Sequence, residues 1–138
     1  MNSVRSRILL VMPRERRDTV LRSLSGSSLE FAAAETAKAA RELLAGPVKY
    51  DLAIVDAELP DGSWRDVLRL LVASPANCEM VVCSRCGDEQ LWAEVIQCGA
   101  FDLVPEPFER QEMQRIIRSA LDSHYLQRFG HASQERAC

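Results

Sequence analysis

The sequence predicts an α/β fold: a doubly wound, five-stranded parallel sheet, strand order 2-1-3-4-5, with helices on both faces. Three observations point there. Short apolar runs recur five times, each followed by a segment whose apolar residues are spaced for a helix. The first, third and fourth runs are continuously apolar rather than alternating, as expected of strands covered on both faces. Breaker residues fall at the boundaries between the two kinds of segment. Right-handed crossovers then place the helices, and 2-1-3-4-5 is one of the two strand orders common for such sheets.

The strands are expected at Ile8 to Val11, Leu29 to Ala33, Leu52 to Val55, Met80 to Cys83 and Phe101 to Val104. The helix after the first strand should bury Val20, Leu21 and Leu24, and the second Ala37, Ala40, Leu43 and Leu44. The third should bury Trp64, Val67, Leu68 and Leu71, the fourth Leu91, Val95 and Cys98, and the fifth Met113, Ile116, Ile117, Ala120 and Leu121. Gly46-Pro47 closes the second helix, Pro60-Asp61-Gly62 turns the chain after the third strand, Gly99 ends the fourth helix and Gly130 the last. The fifth strand is an edge, which makes Pro105 tolerable just beyond it, since proline has no N–H for a ladder. One domain over residues 1–130 and a polar tail over 131–138 are expected.

Composition bounds the function. A chain of 138 residues, 47% apolar and 27% charged, has the balance of a soluble globular domain with a sizeable core. A net charge of -3 argues against a non-specific polyanion binder. Arg14, Arg16, Arg17 and Arg22 form the only tight basic group; interleaved with Glu15 and Asp18, they read as the solvated face of the first helix. No helix-turn-helix unit is left over once the repeat is assigned, so no nucleic-acid contact is expected. The run Ile8 to Met12 is shorter than the ~7–15 residues of a signal-peptide core, and no run approaches the ~18 of a spanning helix. Five cysteines form an odd set too sparse for a disulfide scaffold, which suits a reduced, cytoplasmic setting.

Candidate chemistry lies at the carboxyl ends of the strands, where open α/β sheets gather ligands. Asp56 ends the apolar run Leu52 to Val55 and is followed at once by a turn, so a buried strand delivers one charge to the surface. In the expected order it meets Met12-Pro13, Ser84 and Glu106-Pro107 from neighbouring strands.

These residues resemble the receiver domains of bacterial two-component response regulators, from about Arg7 to about Leu126. The resemblance rests on Asp56-Ala57-Glu58-Leu59-Pro60-Asp61-Gly62, Ser84, Gly99-Ala100 and Pro107-Phe108. It implies that Asp56 is the phosphoacceptor, that Ser84 contacts the phosphoryl group, and that the domain signals rather than catalyses. It implies a histidine kinase or phosphotransfer protein as partner. It also implies a homodimer through helix four, strand five and helix five, which here carry Trp92, Glu94, Arg110, Arg115 and Arg118.

The chain departs from that pattern where the chemistry is most demanding. Receivers carry adjacent acidic residues after strand one to hold magnesium; this chain has Met12-Pro13. They carry a lysine before the proline at the end of strand five; here it is Glu106. They carry an aromatic switch residue on strand five; here it is Leu103. Phosphoryl transfer is mostly positioning and charge neutralisation, and a lost charge-stabilising donor typically costs about 2.7–4 kcal/mol, by analogy with oxyanion holes. No resident cofactor is therefore expected, with magnesium bound weakly or not at all. Glu106 either turns inward and repels a phosphate or turns to solvent.

The other candidates have bland readings. Glu58 and Asp61 could replace the missing acids, although turn residues are usually solvated. Glu15 and Asp18 face away from the site. His124 and His131 are expected on the surface. Cys83-Ser84-Arg85-Cys86 has a spacing that can hold zinc or exchange thiols, but Cys83 belongs to an apolar strand and Cys78 and Cys98 are expected far away. Two functions remain: a phosphorelay receiver with impaired phosphorylation at Asp56, or a degenerate receiver that binds proteins without phosphorylation.

Overall fold

The computed structural model describes residues 6–25, 28–74, 77–85 and 88–129. Its sheet strands are β1 (Ser6–Val11), β2 (Leu29–Ala34), β3 (Leu52–Asp56), β6 (Glu79–Ser84) and β7 (Asp102–Pro105), all parallel, in the order β2-β1-β3-β6-β7. Counting sheet strands alone, this is 2-1-3-4-5. A two-residue hairpin, β4 (Glu58–Leu59) with β5 (Gly62–Ser63), follows β3 and was read in the sequence only as a turn. The helices are α1 (Arg14–Ser23), α2 (Ala37–Ala45), α3 (Trp64–Ala73), α4 (Glu89–Gln97) and α5 (Arg110–Phe129).

The two faces of the sheet follow the period of two along each strand. Ile8, Leu10, Leu52, Ile54, Val81, Cys83 and Val104 pack with Val20 and Leu24 of α1 and with Met113, Ile116, Ile117 and Ala120 of α5. Leu9, Val11, Ala53, Val55, Met80, Val82 and Leu103 pack with Ala40, Trp64, Val67, Leu68, Leu71 and Val95 of α2, α3 and α4. β3 and β6 are buried throughout, and burying one such Leu, Ile or Val stabilises the fold by about 1.5–3 kcal/mol. Parity also decides where the charges go: Asp56 continues the Leu52–Ile54 series and Glu106 continues from Val104, so both project toward α1 and α5.

Local capping explains the helix starts. Ser63 Oγ accepts the N–H of Arg65 while Asp66 accepts the N–H of Ser63, a reciprocal box that begins α3 directly after the hairpin. Asp61 reaches across to α2, where its carboxylate accepts the N–H groups of Ala37 and Lys38 at 2.8 and 3.0 Å. Gly99 ends α4 at φ 100, a left-handed conformation that glycine adopts without strain.

Three expectations fail. His124, expected on the surface, is 2% exposed; its ring lies 2.8 Å from the Asn77 carbonyl through Nδ1 and 2.9 Å from Asp51 Oδ1 through Nε2, beneath the amino end of the sheet. The Asn77 carbonyl satisfies Nδ1, while the Asp51 carboxylate lies close to Nε2 without an aligned hydrogen bond. Arg16 is the second failure, and it changes the site. Cys98 is also disulfide-bonded, against the expectation of five reduced thiols. Gly130, His131, the 131–138 tail and Cys86 lie outside the described residues.

Candidate functional site

The carboxyl end of the sheet brings Asp56, Pro13, Glu58, Ser84, Arg85 and Asp88 to one cleft of about 360 Å3. Asp56 is 4% exposed and accepts the N–H of Glu58 at 3.4 Å. Ser84 is buried at the end of β6 and shares the cleft, as the sequence led one to expect. The loop from β7 is tied in by the Glu106 N–H donating to the Ser84 carbonyl at 2.8 Å.

The residue missed by sequence reasoning is Arg16. It sits on the buried side of α1, with its Nε 3.2 Å from Asp56 Oδ2 and its Nη1 2.9 Å from Glu106 Oε1. The guanidinium lies 5.6 Å from the centre of the Phe108 ring, a cation–π contact that helps hold it in place. The solvated-face reading fails for this arginine because it shares a stripe with Val20 and Leu24, at i, i+4 and i+8. That spacing was the available signal; the neighbouring Glu15 and Asp18 obscured it. Arg14 and Arg22, off that stripe, are exposed.

Glu106 thus turns toward the site, but to a cation and not to solvent alone. Its side chain remains 36% exposed. Burial pushes the Asp56 carboxyl above its ordinary value of 3.8, and the charge of Arg16 and the Glu58 N–H offset this only in part. Leu103 is buried in the core against α4 and has no polar atom to exchange with Ser84.

The residues do not fit a magnesium ion. Met12 is fully buried among apolar side chains and Pro13 caps α1, so neither offers a carboxylate. A guanidinium already lies against Asp56. Asp61 is engaged with the start of α2, which pulls its carboxyl below the usual range. Among the described residues, no group of three or more His, Cys, Asp or Glu is placed to hold a metal. Cys83 is fully buried and its thiol is pushed up to about 12 by desolvation, which opposes thiolate chemistry there.

Fold and site together define a signalling receiver. The response regulator receiver domain family matches residues 14–118, and the chain belongs to it. It is similar to the response regulator protein PilR of Pseudomonas aeruginosa, 27% identical over 99 residues that make up 72% of this chain and 22% of PilR. It is also similar to the chemotaxis protein CheY of Thermotoga maritima, 27% identical over 62 residues, 45% of this chain and 52% of that one. Among solved structures, a signal receiver domain from Vibrio parahaemolyticus shares the fold with a TM-score of 0.84 at 22% identity, covering 94% of this chain and 100% of that one. The receiver domain of an HD domain-containing protein from Pseudomonas fluorescens matches with a TM-score of 0.78 at 25% identity, covering 88% and 98%.

Proposed function

We propose that this receiver domain serves two-component signal transduction as a protein-binding module whose Asp56, at the phosphoacceptor position, is poorly phosphorylated in the presence of magnesium. The observation that carries this reading is the Arg16 guanidinium placed against Asp56 and Glu106. An acceptor carboxylate must attack a phosphorus while metal and cationic groups neutralise the transferred oxygens. Here the cation is spent on two carboxylates, and the positions that would supply a metal ligand are Met12 and Pro13. The partner is a histidine kinase or phosphotransfer protein, recognised through the surface around the cleft and not through turnover.

The surface made by α4, β7 and α5 supports a second contact, a homodimer. Trp92 is half exposed there, with its indole N–H on Asp102 at 3.2 Å, and Arg115 pairs with Glu112 beside it. Exposed pairs of this kind contribute little each, so the apolar surface of Trp92 and Ile96 would carry the contact.

Intact mass after incubation with acetyl phosphate and magnesium tests the reading. The expected result is no phosphoryl adduct and unchanged binding to the kinase or phosphotransfer partner. Magnesium-dependent labelling that Asp56→Asn removes would overturn it.

A further inference from the structure

We infer that Arg16 is a tethered counter-ion: it takes the cation position of the site and keeps divalent ions out of it. This rests on the reading above and adds a residue whose role is specificity for the kind of cation. The guanidinium is about as buried as the aspartate it faces, with residue exposures of 6% and 4%. Yet only Nη1, on Glu106, makes a well-aligned hydrogen bond; Nε and Nη2 are buried without a hydrogen-bond partner. An arginine retained for its fork of donors would set them on acceptors, as bidentate pairs with carboxylates do. What this one supplies is charge.

The balance of charge explains why charge is needed. Asp56 and Glu106 approach the same guanidinium from β3 and from the loop after β7. Without it, the buried Asp56 carboxylate and the partly exposed Glu106 carboxylate would face one another, and each would oppose ionisation of the other. Either one takes a proton or a cation enters. The donors left behind would be carboxylate oxygens with water, the chemistry that suits magnesium or manganese. A positive charge fixed on α1 makes that entry unfavourable in the natural chain. The disagreement with the family's metal chemistry then has a physical cause beyond missing ligands: the place is taken.

The experiment is manganese binding, followed by electron paramagnetic resonance, to the full chain and to Arg16→Gln, Arg16→Lys and the double variant Arg16→Gln/Asp56→Asn. Circular dichroism checks each fold. The wild type should bind no manganese at millimolar concentration, while Arg16→Gln should bind one ion that magnesium displaces and that the added Asp56→Asn abolishes. Arg16→Lys keeps a cation and should remain silent. A folded Arg16→Gln that binds nothing overturns the inference, as does a wild type that binds as tightly as Arg16→Gln. If Arg16→Gln does not fold, Arg16→Ser takes its place with the same two outcomes, one displaceable ion supporting the inference and none overturning it; manganese binding by Arg16→Lys overturns it in either case. Phosphorylation of the wild type with magnesium would sink the parent reading. An unlabelled wild type with a metal-free, folded Arg16→Gln would sink this inference alone.

Discussion

Arg16 Nε lies 3.2 Å from Asp56 Oδ2, joining the third residue after the α1 cap to the last residue of β3 at the bottom of the cleft. Both side chains are almost fully buried, so the pair is worth more as a constraint on the site than a surface ion pair would be.

Removing the cation should cost more than removing either anion. Arg16→Met leaves two facing carboxylates, and breaking a buried pair typically costs about 3–5 kcal/mol. Glu106→Gln touches a side chain one-third exposed and should cost about 0–1 kcal/mol. Urea denaturation of the two variants checks the order.

Asp56→Asn should behave in the opposite sense. Burial raises the folded-state pKa of Asp56, so the folded chain holds the proton more tightly than the unfolded one. That contribution is fully present below the ordinary value of 3.8 and is lost as pH rises through the folded value. At neutral pH the ionised carboxylate is therefore a net cost, and the amide should be the more stable protein. The difference between the two midpoints should shrink as the solution is acidified toward 3.8. A gap constant with pH would contradict this.

Much of the fold was legible because it depends on repetition: five apolar runs, five helical stripes and breakers between them. Val67, Leu68 and Leu71, or Met113, Ile116 and Ile117, announce their burial by spacing alone, and all are buried. Asp56 and Ser84 were legible as strand ends, and they do share the cleft. Arg16 and His124 were not, because a charged or titratable residue is read as solvated unless its partner is known. Their partners lie 40 and 73 positions away in sequence, at Asp56 and Asp51, and become neighbours only after the sheet is assembled. Glu106 illustrates the same limit: its direction depends on a guanidinium that local sequence does not place near it.

His124 should matter to stability although it is far from the cleft. His124→Leu would remove the imidazole from the Asn77 carbonyl and the Asp51 carboxylate; both residues keep access to water, so the expected cost is that of one net hydrogen bond, about 0.5–1.5 kcal/mol. Thermal unfolding of this variant beside Arg17→Ala would register the difference.

Asp61 links the hairpin to α2, and its effect should depend on pH. Its carboxyl is pulled down by the Ala37 and Lys38 N–H groups, so its contribution is present above 3.8 and lost as pH falls through the lower folded value. Asp61→Ala should speed amide exchange at Ala37 and Lys38 at neutral pH, with less change in α3. Unaltered exchange at those two amides would remove the cap from the account.

The central claim, that an internal cation has replaced the chemistry of an ordinary phosphoacceptor site, is tested most directly by beryllofluoride with magnesium, followed in amide NMR spectra. The account predicts no saturable shifts at Asp56, Ser84, Leu103 or Glu106. Saturable, magnesium-dependent shifts at these positions that disappear in Asp56→Asn would contradict it.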